Sequence, residues 1–301
     1  MDFIVLITTL ILRAIFGLVP SGHADSWVHS LKMKFCKKDV KRARHLYEAE
    51  YGDTDGCSGY SRQMPDALIF FLTVIFPVLA LYVFINSLDG IALGLPVFII
   101  SVAILLYSLG RKDSIDWFRK FNESCNRGDT QGAFIYVSKA LKEEGNGSDD
   151  TYFNALVHMI KTVVQDFFVI IFLFFLIGIE GAFFSRLLFL FSKNHRFFVK
   201  DFCISEFLKN ILEWVPIRIL FVCMLLSDGI KYFYNNLILS KFSILNSNDF
   251  ISGMLKGSFD KDCSNLNDHS NESVDKLFFQ IEKSKVIFII ILSLFVVLGF
   301  L

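Results

Sequence analysis

The chain has no surplus of charge of either sign: 30 Lys and Arg stand against 30 Asp and Glu in 301 residues. That balance excludes the global basic field on which nucleic-acid binding relies, and no acidic tail is present. A nucleic-acid partner is therefore not expected. The sequence also lacks a GxxxxGK(S/T) loop, a GxSxG elbow and an HExxH helix, so the strong phosphate-binding and catalytic motifs are missing. The six cysteines, Cys36, Cys57, Cys125, Cys203, Cys223 and Cys263, are scattered, with no CxxC pair and no His at zinc-ligand spacing. They read as free structural thiols, and neither a metal nor a cofactor is expected.

What the chain does have is apolar surface. Hydrophobic residues make up 53% of it and 35 are Phe, with a mean hydropathy of +0.51. A chain this size cannot hide that much apolar surface from water, so lipid is its solvent. Because a membrane span must satisfy its own backbone, the expected fold is all-α, a polytopic integral membrane protein. Loops between the apolar runs reach only about 50 residues, near the lower limit for an independent domain. Residues 1–301 are thus expected to form one membrane-embedded unit.

Apolar runs of about 17 to 25 residues match a hydrocarbon core of about 30 Å. Five stand out, at 3–19, 67–87, 91–109, 167–192 and 286–301, and a weaker sixth lies at 217–233, where Asp228 and Lys231 intrude. The count is five to six membrane helices. The first run has no charged leader and Arg13 interrupts it, which predicts a retained span rather than a cleaved signal. Lys and Arg crowd the loop at 21–65 and the stretch at 111–165, and positive loops stay on the cytoplasmic side. The connector Leu88-Asp89-Gly90 has no positive charge and is read as a turn on the far side.

The second half leaves two arrangements open. Gly178-Ile179-Glu180-Gly181 interrupts the 167–192 run, so this run is either one span or a broken, partly re-entrant hairpin. One span puts Lys193, His195, Arg196, Lys200 and Lys209 outside; a hairpin puts Lys283 and Lys285 there. On the cytoplasmic side, 114–144 reads as a helical pair turning at Asn126-Arg127-Gly128-Asp129, and Asp150 or Thr151 can cap the helix that follows. Residues 241–271, rich in Ser, Asn and Asp, read as a loosely structured loop.

Polar groups at membrane depth are costly and mark candidate sites by default. Glu180 and Arg186 lie six positions apart, on different faces of a continuous helix, and a glycine break can bring them together. Arg13 needs an acidic partner or a water-filled cavity for the same reason. In Glu213-Trp214-Val215-Pro216-Ile217-Arg218, Pro216 suits a first helical turn and Trp214 the headgroup level, leaving Arg218 to face lipid phosphate or an anionic ligand.

The segment Ile211-Leu212-Glu213-Trp214-Val215-Pro216-Ile217-Arg218 resembles the "LDWVPVR" stretch of the AmpE proteins of Gram-negative bacteria, and the "NYIPAR" stretch of their relatives, the CobD/CbiB cobalamin-biosynthesis membrane proteins. The embedded Arg13, the helical pair around Gly128-Asp129, the Gly178-x-x-Gly181 break with Arg186, and a last span after Val274-Asp275-Lys276 are similar too. The resemblance implies an inner-membrane signalling modulator linked to β-lactamase induction. Its partners would be membrane lipid and a cell-wall-derived ligand or a partner protein, and it would perform no bond chemistry. The alternative it implies is an ATP-using amide synthase of the cobalamin type. The cobalamin relatives carry acidic and Asn residues ahead of the glycine-containing span, whereas this chain reads Lys161-Thr162-Val163-Val164-Gln165-Asp166 and keeps only Asp166. The candidate polar site is Asp166, Glu180, Arg186, Glu213, Trp214 and Arg218. A transporter is a third reading, pointed to by the broken helix, but the hydropathy pattern shows no inverted repeat.

Overall fold

The computed structural model describes residues 2–16, 27, 70–88, 94–109, 113–129, 131–133, 135–136, 150–192, 203–228, 250–253, 255 and 271–298. Its regular elements are helical, as an apolar chain in lipid requires. Helix α1 is Asp2–Phe16. Helix α2 opens with a π-helical turn, Phe71–Ile75, and continues as Phe76–Leu88. Helix α3 is Leu95–Ser108 and α4 is Asp113–Asn126. Helix α5 comprises Asp150–Val163, a π-helical turn Val164–Phe168, and Val169–Ile177. Helices α6, α7 and α8 are Ile179–Ser192, Cys203–Asp228 and Asn271–Val297.

Three described helices are long and apolar enough to cross a membrane, Phe71–Leu88, Phe153–Ile177 and Phe207–Ser227, and Phe3–Ile15 and Leu95–Ser108 are shorter apolar helices. At 1.5 Å per residue the 25-residue segment Phe153–Ile177 is about 37 Å long. The 241–271 stretch holds a helical piece at 250–253, with Ile251 and Leu255 buried. The basic loop at 21–65, apart from Trp27, and the 89–90 connector lie outside the described residues.

The open choice at 167–192 resolves into a hairpin. Gly178 has φ +94 and ψ −161, a backbone conformation costly for any residue with a Cβ, and there the chain reverses. A Cβ on Gly181 would lie 2.6 Å from the Leu173 carbonyl oxygen, so the two legs touch backbone to backbone. Helix α6 packs against the last part of α5, and also against α3, α7 and the start of α2. Buried residues occur on nearly every face of it, which is why it shows no amphipathic stripe.

Phenylalanine rings join these helices. Phe168 of α5 meets Phe288 of α8 at 5.0 Å between centroids, Phe118 of α4 meets Phe278 at 5.6 Å, and Phe70 meets Phe191 edge to face at 5.6 Å. Trp117, beside Phe118, contacts His158 at a tilt, with ring centroids 5.7 Å apart. Position 278 is therefore level with 158, and 288 with 168, so α5 and α8 run in the same direction. Aliphatic and aromatic side chains on the outer face of α2, including Leu79, Val83 and Phe84, are exposed, as expected of a surface solvated by acyl chains. Hydroxyls in the apolar helices donate back to their own turns, Thr9 to Val5, Ser108 to Ile104 and Ser284 to Gln280. These three hydroxyls are thereby satisfied within their own helices.

The expected turn at 126–129 is present. Gly128 has a positive φ, and Asp129 Oδ1 accepts from the Gly132 N–H at 2.9 Å, capping the helix that follows. Pro216 departs from expectation. It lies inside the 26-residue helix α7 rather than in a first turn, because the charged stretch from Cys203 is amphipathic helix and not loop. A proline there removes the bond to the Leu212 carbonyl, a loss that neighbouring helices and water make tolerable in membrane proteins.

Candidate functional site

Charged residues from five helices converge on one short stretch of α5. Its π-helical turn, Val164–Phe168, presents Gln165 and Asp166 beside each other, and such turns occur often at functional sites. Arg186 Nη1 of α6 donates to Asp166 Oδ1 at 3.2 Å, with 7% and 16% of the two side chains exposed. Gln165 Nε2 donates to Glu213 Oε1 of α7 at 2.5 Å. Lys161 Nζ, one turn earlier on α5, stands 3.8 Å from Glu213 Oε2.

Helices α1 and α8 complete the belt. The Arg13 guanidinium lies within electrostatic range of Asp166 and Glu282. Glu282 pairs with Lys285 at 2.6 Å, and Lys285 Nζ also lies over the Phe167 ring at 5.7 Å. Arg13, Lys161, Arg186, Glu213, Glu282 and Lys285 thus all engage the level of 161–167. Glu213 is the most enclosed of them, with a fully buried side chain. Its Oε2 accepts no hydrogen bond, so the attraction to Lys161 across 3.8 Å is what compensates that atom.

The six residues expected to form the site separate into three places. Asp166, Arg186 and Glu213 lie in the belt. Glu180 sits in the first turn of α6 beside Gly178, at the tip of the hairpin, and the glycine break joins Arg186 to Asp166 instead of to Glu180. Trp214 and Arg218 form a separate group on α7. The Arg218 guanidinium lies over the Trp214 ring at 4.1 Å and the Phe250 ring at 5.2 Å, and Nη1 donates to the Trp214 carbonyl at 2.8 Å.

Gln165, Glu282 and Lys285 did not stand out as site residues from sequence. The available signal was spacing: Lys161 and Gln165 at i and i+4 on an amphipathic helix, and Glu282 and Lys285 at i and i+3 just ahead of an apolar run. Among the described residues no three His, Cys, Asp or Glu side chains cluster as metal ligands.

No family model, curated protein or solved structure matches this chain. The site's chemistry therefore rests on its geometry. A belt of paired charges at one level of a helix bundle can hold a polar or ionic group only by exchanging one partner for another, which suits binding and conformational response.

Proposed function

We propose that the protein is a bacterial inner-membrane signalling modulator of the AmpE type, linked to β-lactamase induction. It binds a cell-wall-derived or lipid-linked ligand, or a partner protein, and performs no bond chemistry itself. The observation that carries this reading is the belt on α5, where Asp166–Arg186 and Glu213–Gln165 tie three helices together. It adjoins the Glu213-Trp214-Val215-Pro216-Ile217-Arg218 element on which the resemblance rests. A ligand that draws Arg186 or Lys161 away from its carboxylate would loosen α6 or α7 from α5, turning occupancy into a change of packing.

The amide-synthase alternative needs carboxylates available to a metal–nucleotide. Asp166 faces Arg186, and Glu213 faces Lys161 and Gln165, which favours the binding reading.

In this reading five to six helices cross the membrane, with 21–65 and 111–165 cytoplasmic. The parallel course of α5 and α8 supports it. From sequence, a hairpin is expected to put Lys283 and Lys285 outside; the parallel course of α5 and α8, with Lys285 at the level of Phe167, instead favours the side of the basic 111–165 stretch, in line with the charge rule.

The test is β-lactam induction in a deletion strain complemented with wild type, Asp166→Asn or Arg186→Gln, at matched amounts of protein in the membrane. Wild type should restore induction and both variants should not. Unchanged induction in the deletion strain would remove the signalling role.

A further inference from the structure

Phe207, Ile211, Trp214, Val222 and Leu226 of α7 are exposed. At 100° per residue they form one stripe along the candidate span Phe207–Ser227. Arg218 falls in the middle of that stripe. From Trp214 to Ser227 it is the single ionisable Asp, Glu, Lys or Arg in the sequence. A guanidinium on a lipid-facing stripe demands an anion, and among the described residues no carboxylate pairs with it. The side chain turns back toward the helix N-terminus, as helical side chains do, and donates from Nη1 to the Trp214 carbonyl. Its charge thereby reaches the level of Trp214, one residue from Glu213 and the belt, where the polar part of α7 gives way to its apolar part. Nη2 is enclosed and meets no acceptor among the described residues. The Trp214 and Phe250 rings both lie within cation–π distance of the guanidinium, a contact that does not neutralise it.

We infer that Arg218, with Trp214 and Phe250, is a binding site for the phosphate of an anionic glycerophospholipid, distinct from the charged belt. The site combines an arginine that no described carboxylate pairs, aromatic rings beside it and apolar residues on either side along the stripe for the acyl chains. Arginine suits phosphate through its planar fork of N–H groups. A soluble anion would gain nothing from the flanking stripe, which is the reason to assign the phosphate to a lipid.

The test uses the full chain carrying Trp27→Phe and Trp117→Phe, so that Trp214 is the remaining tryptophan, in bilayers where either phosphatidylglycerol or phosphatidylcholine is brominated. Brominated phosphatidylglycerol should quench Trp214 with an about fivefold preference, the size expected for one basic side chain at an anionic surface. Arg218→Gln should abolish the preference, Arg218→Lys should keep part of it, and Arg119→Gln, which removes a positive charge on α4, should keep all of it. Equal preference in wild type and Arg218→Gln overturns the assignment. Loss of the preference on adding inorganic phosphate overturns the lipid as its source. Should Arg218→Gln fail to insert, the wild type still decides, because no preference for phosphatidylglycerol overturns the site.

Discussion

Arg186 reaches Asp166 across 20 residues of chain, with Nη1 3.2 Å from Oδ1. In a straight helix that separation would be about 30 Å, so the contact exists only because the chain reverses at Gly178. Fold and site are therefore coupled at this pair.

Breaking the pair should cost more than removing it. Both side chains are largely buried, and Asp166→Asn or Arg186→Gln alone removes one half of this ion pair, a loss of about 3 kcal/mol. The double variant Asp166→Leu with Arg186→Met should be more stable than either single change. Unfolding in mixed micelles measures this, and strictly additive losses would contradict a direct pair.

The hairpin itself can be tested at Gly181. A Cβ there would meet the Leu173 carbonyl oxygen at 2.6 Å and Ile177 Cβ at 2.9 Å, and neither backbone nor a packed β-carbon yields cheaply. Gly181→Ala should destabilise the protein by about 1–3 kcal/mol, although alanine normally improves a helix. A neutral or stabilising effect in the same unfolding assay would mean that the legs are not in contact.

The sequence makes some of this legible and hides the rest for identifiable reasons. The apolar runs, the turn at Gly128-Asp129 and the disruption at Gly178 are local signals, carried by a few adjacent residues. The partner of Arg186 is not local. Its choice of Asp166 over Glu180 follows from the hairpin's register, which depends on the close approach at Gly181. The length of α7 was hidden differently: Lys209 and Glu213 lower the apolar content of its first half, so the span reads as starting near Ile217 and Pro216 as its first turn. Gln165, Glu282 and Lys285 lie at the edges of apolar runs, where a polar residue looks like a boundary. Only packing shows that these edges meet at one level.

Glu213 should behave as a buried charge whose value depends on Lys161. Its side chain is fully buried, while 17% of Lys161 remains exposed. Glu213→Leu should destabilise by removing the carboxylate that faces Lys161 and by depriving Gln165 of its acceptor. Lys161→Met added to Glu213→Leu should recover part of the loss, whereas Lys161→Met alone should be costly because Glu213 stays buried and charged. A double-mutant cycle with no coupling between positions 161 and 213 would show that the 3.8 Å approach carries no energy.

The orientation of the bundle follows from the charges that the belt gathers. Lys161 and Lys285 engage the same stretch of α5, and α5 and α8 run the same way, so in the proposed arrangement both helices enter the membrane from one side. In the proposed arrangement the basic 111–165 stretch is cytoplasmic, and the connector at 89–90, which carries no positive charge, is expected on the opposite side. A periplasm-dependent reporter fused after residue 89 should be active, and the same reporter fused after residue 129 should be silent. Cysteine labelling at Phe279, exposed on the α8 face, should require permeant reagent in intact cells, as labelling at Arg119 on α4 should. Labelling of the two positions from opposite sides would break the parallel course of α5 and α8, and the shared level of the charged belt would fall with it.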